Sequence, residues 1–224
     1  MNKGQEKTVE KNNMKGFRKR FFNVMVFPNG PVCNLNCEYC YYLNKINDYQ
    51  ESNSFKMDFN LLEEFTKQYI EAQPGPVVNF GWQGGEPTLR GLEFFKKAVE
   101  LQNKYLPVGW ECQNSFQTNT ILLNEEWCQF FSENDFLLGV SIDGPDWIHN
   151  KYRKDKKDEP THEKVLAGIR LLQKYKVDFN ILCVVNDYNS KHPLEVYNFF
   201  KKIGTDFIQF IPLVEAENGK LVGD

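Results

Sequence analysis

Three cysteines lie within eight residues, at Cys33, Cys37 and Cys40, in the segment Cys-Asn-Leu-Asn-Cys-Glu-Tyr-Cys. Three thiolates on one short loop can bind three irons of a cubic four-iron cluster, for which four cysteines are the usual complement. One iron would then lack a protein ligand, and an open coordination position is typical of a reactive metal site rather than a structural one. The spacing therefore predicts a [4Fe–4S] cluster that binds and transforms a ligand.

A zinc site is the main alternative for these cysteines. It requires a fourth cysteine or histidine at a partnering spacing. The remaining cysteines are isolated in apolar surroundings, as buried structural cysteines are, and the histidines form no pair at ligand spacing. These residues are Cys112, Cys128, Cys183, His149, His162 and His192. The pattern favours the cluster over zinc.

The composition is that of a globular protein with a slightly acidic balance. The 224 residues are 41% hydrophobic and 25% charged, with a net charge of −3, which suits one domain or at most two. An acidic chain does not favour nucleic-acid binding. No apolar run reaches the roughly 20 residues that a membrane span needs, and the N-terminus carries no signal-peptide core. Clustered unpaired cysteines favour a reducing cytoplasm.

Strand-like and helix-like segments alternate along the chain after a polar leader at residues 1–20. Short apolar runs predict six strands, and segments with helical spacing predict a helix between successive strands. This α/β repeat implies a parallel sheet with right-handed crossovers. Six repeats are fewer than the eight of a closed barrel, so we expect an open, curved partial (βα)6 barrel. The predicted strands are Phe22–Phe27, Val77–Phe80, Trp110–Gln117, Phe136–Ile142, Phe179–Val185 and Phe207–Val214.

Polar segments follow several of these strands. The cysteine segment follows the first strand, Gly-Gly-Glu-Pro at 84–87 the second, Gln-Thr-Asn at 117–119 the third and Ser-Ile-Asp-Gly-Pro at 141–145 the fourth. In parallel α/β folds, ligands bind at the C-terminal ends of the strands, so we expect these segments to meet around one site. Locally, Asp143 suggests a turn-capping role, and Thr161 after Pro160 suggests an N-cap for the fourth helix.

The cysteine motif and the Gly-Gly-Glu-Pro segment resemble those of the radical S-adenosylmethionine (SAM) superfamily. Within it, further segments are similar to anaerobic sulfatase-maturating enzymes. The likeness implies a radical SAM core domain at 21–215, between a mobile leader at 1–20 and a tail at 216–224. Members of that family continue into a cysteine-rich C-terminal domain, called SPASM, which we expect this chain to lack. The similar segments are 33–42, 82–89, 117–119, 141–145, 149–153, 189–193 and 207–212.

The resemblance implies roles for the matching residues around the cluster. Cys33, Cys37 and Cys40 would ligate the [4Fe–4S] cluster, and its free iron would bind the amino and carboxylate groups of SAM. Tyr39, between two ligands, would lie against the adenine. Val214 would make an apolar contact to the same ring.

The other cofactor contacts implied by the resemblance come from neighbouring strand ends. Gly84 and Gly85 would expose backbone to the methionine ammonium, since a residue without Cβ permits close approach. Glu86 would supply negative charge nearby. Ser141 would contact the ribose or the carboxylate, and Arg153 would pair with the carboxylate, a task suited to a planar guanidinium.

The implied reaction is reductive cleavage of SAM to a 5′-deoxyadenosyl radical, which oxidises a cysteine or serine of a sulfatase polypeptide to Cα-formylglycine. A reducing electron donor of flavodoxin or ferredoxin type is implied as a second partner. The family's catalytic base would lie beyond Asp224, so no catalytic residue is assigned. Peptide contacts are expected from the neighbouring rim residues Tyr41, Tyr42, Gln83 and Gln117.

Two other functions stay open at this point. Another radical SAM peptide-modifying enzyme would share the same core and differ in the peptide that it modifies. A non-enzymatic iron–sulfur electron-transfer protein would bind a cluster and leave SAM intact.

Overall fold

Six parallel strands form the centre of the fold. The computed structural model describes residues 19–40, 42, 55–205, 207–217 and 220–223, so the leader predicted at 1–20 lies almost wholly outside the described residues. Each strand pairs in parallel with the next one in chain order. The strands are β1 (Val24–Val26), β2 (Val77–Trp82), β3 (Glu111–Thr118), β4 (Leu137–Ser141), β5 (Phe179–Val185) and β6 (Ile208–Pro212).

Within the described residues, six α-helices lie in the connections between these strands. Side-chain caps begin two of them: the Asp58 carboxylate accepts the Leu61 N–H at 2.8 Å, and the Asn124 amide oxygen accepts the Trp127 N–H at 3.0 Å. Among the described residues, no helix combines the length and the apolarity needed to cross a membrane. The helices are α1 (Phe59–Ala72), α2 (Leu92–Tyr105), α3 (Glu125–Glu133), α4 (Asp146–Tyr152), α5 (His162–Lys174) and α6 (Pro193–Ile203).

The hydrophobic core lies between the helices and one face of the sheet. On β2, Val78, Phe80 and Trp82 are at most 1% exposed and belong to this core. Since side chains alternate along a strand, Asn79 and Gly81 face the other way. Aromatic rings fill much of the core, and each fully buried one contributes roughly 1.5–3 kcal/mol. This packing makes the sheet a rigid support for the loops at its C-terminal edge.

The other face of the sheet carries polar side chains among apolar ones. It lines a cavity of about 880 Å³. Primary amides project from four of its strands, and an amide both donates and accepts hydrogen bonds. This face therefore offers both kinds of hydrogen bond to a polar occupant. The amides are Asn79, Gln113, Gln117, Asn180 and Gln209.

The parallel α/β sheet is confirmed, but two elements differ from the prediction. The helix α4 follows β4, where the spacing of apolar residues predicts none, because seven residues are too few to show a helical period. The sixth strand ends at Pro212, and Val214 instead begins β7 (Val214–Glu217), which pairs antiparallel with β8 (Lys220–Gly223). Proline has no N–H for the ladder. This antiparallel pair of strands spans the boundary predicted at residue 215, which stays a prediction.

The predicted N-cap of α5 is correct in position and wrong in mechanism. Thr161 lies directly before the helix, but its side chain makes no capping hydrogen bond. The Asn150 amide oxygen accepts the N–H groups of Thr161 and His162 instead, each at 3.0 Å. The Thr161 hydroxyl is thereby free for the network described below.

Candidate active site

The C-terminal ends of the strands surround a second cavity, of about 300 Å³. Every cofactor or cluster residue named from the sequence lines it, together with Tyr42, Gln117 and Asn119. Gln83 lies in the larger cavity instead, and Gln117 borders both. Tyr41 lies outside the described residues. The predicted residues that meet here are Cys33, Cys37, Cys40, Tyr39, Gly84, Gly85, Glu86, Ser141, Arg153 and Val214.

The cysteine loop is held by main-chain hydrogen bonds to the end of α4 and the segment that follows it. The Asn36 N–H donates to the Lys154 carbonyl at 2.9 Å, and the Glu38 N–H donates to the Tyr152 carbonyl at 3.0 Å. Leu35, 2% exposed, anchors the loop in the interior. The loop is therefore fixed by backbone partners about 115 positions away in sequence, next to Arg153.

The three thiols suit a cluster better than a single ion. Burial raises the pKa of the Cys33 thiol to about 12 and that of Cys37 to about 11, so iron must displace their protons when it binds. Within the described ranges, no three side chains of ligand type lie close enough to hold one metal ion. A cube spreads its thiolates over three irons, which suits three cysteines around a shared cavity. Cys128 and Cys183 are buried as expected, and Cys112 is partly buried.

The paired glycines after β2 allow this turn to pack against the cysteine loop. The Gly85 N–H donates to the Gly30 carbonyl and the Glu86 N–H to the Val32 carbonyl, both at 2.9 Å. A Cβ on Gly85 would lie 2.2 Å from the Val32 oxygen. Gly84 has φ of +115°, a conformation that favours glycine. The glycines thus have a packing role in this structure, whatever further contact they make with a cofactor.

Glu86 connects the ends of β2 and β3. It is 1% exposed, and its carboxylate accepts four hydrogen bonds, from the Thr88 N–H and hydroxyl, the Thr118 hydroxyl and the Asn119 N–H, at 2.7–3.1 Å. Burial raises the pKa of Glu86, and these donors oppose the shift. The structure therefore gives Glu86 a bracing role, while the implied contact with a methionine ammonium stays a prediction.

Asn119 extends this brace to the cysteine loop. Its amide nitrogen donates to the Asn34 side-chain oxygen at 2.8 Å, and Asn34 directly follows Cys33. The sequence motif at 117–119 marked this position, but only the fold shows which loop it contacts.

Replacing Glu86 with glutamine is expected to destabilise the protein by about 1–3 kcal/mol. The new amide –NH₂ would face an N–H or O–H group whose hydrogen bond the carboxylate now accepts, so two donors would be opposed without an acceptor. Urea unfolding of the cluster-free protein measures the change. Glu93→Gln is the control, since the Glu93 side chain is 80% exposed and its loss should change stability by less than about 0.5 kcal/mol. Equal stabilities of the two variants would contradict the bracing role.

Asp143 and Arg153 form a buried ion pair beside the cysteine loop. The guanidinium Nε and Nη2 donate to the two carboxylate oxygens at 2.8 and 3.1 Å. The Tyr39 hydroxyl also donates to Asp143. Burial opposes ionisation of Asp143, but Arg153 outweighs it and lowers the pKa of the carboxyl. The turn-capping interpretation of Asp143 is therefore wrong: its side chain, 1% exposed, joins distant elements.

His149 connects the backbones of Asp143 and Arg153 through hydrogen bonds. Its Nδ1 accepts the Asp143 N–H at 3.4 Å, and Nε2 lies 3.0 Å from the Thr161 hydroxyl, which donates to the Arg153 carbonyl at 2.7 Å. The hydroxyl proton is used there, so the Nε2–H must donate to Thr161. Burial lowers the pKa of His149 to about 3, which keeps the ring neutral. Sequence reasoning missed this residue, because an isolated histidine carries no signal of its partners.

A cysteine triplet at the C-terminal edge of an open six-stranded parallel sheet, facing a glycine turn, is the site of a radical SAM protein. Residues 28–200 match the Radical SAM superfamily, and the chain belongs to it. This membership confirms the resemblance and the predicted cofactors, a [4Fe–4S] cluster and SAM, which characterise the superfamily.

Known proteins similar to this chain include anaerobic sulfatase-maturating enzymes. It is 53% identical over 192 residues to the serine-type enzyme of Bacteroides thetaiotaomicron, covering 86% of this chain and 46% of that one. It is 43% identical over 203 residues to the cysteine-type enzyme of Clostridium perfringens, covering 88% and 54%. The chain thus spans about half the length of these relatives.

Solved structures agree with the fold. Native anSMEcpe with bound AdoMet and Cp18Cys peptide has a TM-score of 0.80 and 41% identity, and covers 88% of this chain and 53% of that one. Streptococcus suis SuiB bound to S-adenosylmethionine has a TM-score of 0.63 at 13% identity, which is a likeness of fold alone. The predicted open partial barrel is confirmed.

Proposed function

We propose that this chain binds a [4Fe–4S] cluster through Cys33, Cys37 and Cys40, cleaves SAM and directs the resulting radical at a peptide. When bound and reduced, the cluster would supply the single electron that cleaves SAM into methionine and a 5′-deoxyadenosyl radical. The observation that carries the proposal is the cavity at the sheet edge, because loops from separate strands bring all ten predicted residues to it.

Some of the cavity residues would contact the methionine part of SAM, and others would contact its adenine. Arg153 uses Nε and Nη2 for Asp143, so its Nη1 remains for the methionine carboxylate. Ser141, 8% exposed at the end of β4, has its hydroxyl for the carboxylate or the ribose. Gly84 and Gly85 supply backbone for the ammonium. Val214, 54% exposed, would give an apolar surface to the adenine, as would Tyr39, which lines the same cavity.

The peptide substrate would occupy the amide-lined face of the sheet. Extended peptide backbone needs both donors and acceptors, and the primary amides there supply both. Gln117 borders this cavity and the cofactor cavity alike, so a peptide lying there can bring a side chain to the reactive carbon of SAM. We therefore propose the two-electron oxidation of a cysteine or serine of a sulfatase polypeptide to Cα-formylglycine, as the names of the relatives suggest. A hydrogen atom would pass from Cβ to the 5′-deoxyadenosyl radical, and a proton and a second electron would then leave, the electron to an oxidised iron–sulfur acceptor. For a cysteine substrate, hydrolysis of the resulting thioaldehyde would release the sulfur as sulfide. We assign no catalytic base.

The supporting partners follow from the same chemistry. A flavodoxin- or ferredoxin-type donor would reduce the cluster. A reducing, oxygen-poor cytoplasm suits a cluster with an exposed iron and the six cysteines of this chain, all of them free in the structure.

The proposal is tested with protein reconstituted anaerobically with iron and sulfide. After reduction with dithionite, chromatography should detect methionine and 5′-deoxyadenosine in equal amounts, formed slowly without peptide. An added sulfatase peptide should lose its cysteine or serine to an aldehyde, detected by mass spectrometry. A cluster that leaves SAM intact would instead identify an electron-transfer protein. SAM cleavage with modification of a different peptide would identify another peptide-modifying enzyme of the superfamily.

A further inference from the structure

The Asp143 carboxylate, which follows β4, joins three other parts of the fold around the cofactor cavity: the cysteine loop, the segment after α4 and β5. The cysteine loop contributes Tyr39, and the segment after α4 contributes Arg153. Besides its contacts with those two side chains, the Asp143 Oδ1 accepts the Val184 N–H near the end of β5 at 3.0 Å. Both carboxylate oxygens are thus fully used by protein donors, at 1% exposure. Asp143 does not line the cavity itself.

The geometry leaves Arg153 with a single orientation. A bidentate pair fixes the plane of the guanidinium as well as its position, and the ring of Tyr39 lies 5.5 Å from the guanidinium carbon. The guanidinium, at 9% side-chain exposure, cannot turn away without leaving a buried charge unpaired. Nε and Nη2 of Arg153 donate to Asp143. Because this pair fixes the guanidinium plane, it also fixes the direction in which Nη1 points.

The backbone of both residues is fixed as well. The network through His149 and Thr161 ties the Asp143 N–H to the Arg153 carbonyl. Hydrogen bonds from the side chains and from the main chain therefore hold Asp143 and Arg153 in one arrangement. A solvent-exposed arginine does not need to be fixed by so many contacts.

We infer that Asp143 is the positioning residue that orients Arg153 toward the carboxylate of SAM and couples that arginine to the cluster loop through Tyr39. The inference rests on the proposed function, since it needs SAM in the cavity. Asp143 touches no cofactor atom; it acts through Arg153. A purely structural aspartate would support the fold without affecting which part of SAM is recognised.

Two ligands separate these roles: SAM and decarboxylated SAM, which lacks the carboxylate that Arg153 would bind. Their affinities for the reconstituted protein are measured from the change in the electron paramagnetic resonance signal of the reduced cluster. In Asp143→Asn, the SAM affinity should fall by about tenfold or more, the value of a charge-assisted hydrogen bond. The affinity for decarboxylated SAM should stay within about twofold of the unmodified protein.

Asp143→Asn leaves Arg153 without its counter-charge and can fold poorly, so Asp143→Glu is measured alongside. Glutamate keeps the charge but moves the carboxylate by one methylene, and the same selective loss is expected. Asp155→Asn is the matched control, because Asp155 lies in the same segment, accepts hydrogen bonds from Lys157 and Glu159 N–H groups, and lies outside the cavity. Both affinities should be unchanged there.

Equal weakening of both ligands in Asp143→Asn and Asp143→Glu would show a structural role only and overturn the inference. Unchanged SAM affinity in Asp143→Glu with an intact cluster would overturn it too. If the unmodified protein does not bind SAM although its cluster is present, then the proposed function itself is wrong, and the inference about Asp143 falls with it. Iron content and thermal unfolding of each variant show which case applies.

Discussion

Cys37→Ala is expected to abolish both the cluster and SAM cleavage. Three thiolates are the whole protein ligand set proposed here, and removing one leaves two irons of the cube without a protein ligand instead of one. Cys37 is also the most buried of the three, at 7% exposure, so water cannot readily replace its sulfur. Visible absorbance and iron content of anaerobically reconstituted protein measure the loss, and chromatography measures the cleavage.

Cys112→Ala is the control for that substitution. Cys112 lies at the start of β3, at the opposite end from the cofactor cavity, so the variant should bind the usual amount of iron and cleave SAM, with reduced thermal stability. Surviving cleavage in Cys37→Ala would show that the triplet does not hold the cluster. Loss of iron in Cys112→Ala would show that this cysteine has been placed wrongly.

Gly85→Ala is expected to separate the glycine turn from the cysteine loop. The new methyl group would lie 2.2 Å from the Val32 carbonyl oxygen and 2.5 Å from the Pro31 oxygen. Both are backbone atoms, which cannot move aside as a flexible side chain can. We expect a loss of about 1–3 kcal/mol or more, measured by urea unfolding, and a SAM affinity reduced by at least tenfold.

Gly109→Ala is the control, because it adds a methyl group to a glycine where no other atom would be in contact with it. Gly109 has φ of +81°, and a Cβ there meets nothing within 4 Å. Its cost is conformational only, about 1 kcal/mol, with iron content and SAM binding unchanged. If Gly85→Ala is no more harmful than Gly109→Ala, then contact between the turn and the cysteine loop does not matter.

Local patterns were enough to predict much of this protein. The strand at Phe179–Val185 has the predicted bounds, because a short apolar run rich in β-branched residues is typical of a strand in a covered parallel sheet. The cysteine spacing and the glycine pair likewise carry their chemistry in adjacent residues. Since parallel strands end at one edge, knowing which segments follow the strands was sufficient to predict that those segments share a cavity. Arg153 follows no predicted strand, and only the family resemblance assigned it to the site.

The partners of the buried polar groups could not be predicted in this way. Asp143 resembles a turn residue in sequence, yet it pairs with Arg153 ten positions later and Tyr39 104 positions earlier. Glu86 accepts from Asn119, 33 positions away, and so braces two strand ends. A buried carboxylate must find donors, but which donors reach it depends on how the loops fold over the sheet. Local sequence therefore determines what chemistry is present, and long-range packing determines which carboxylates orient the site.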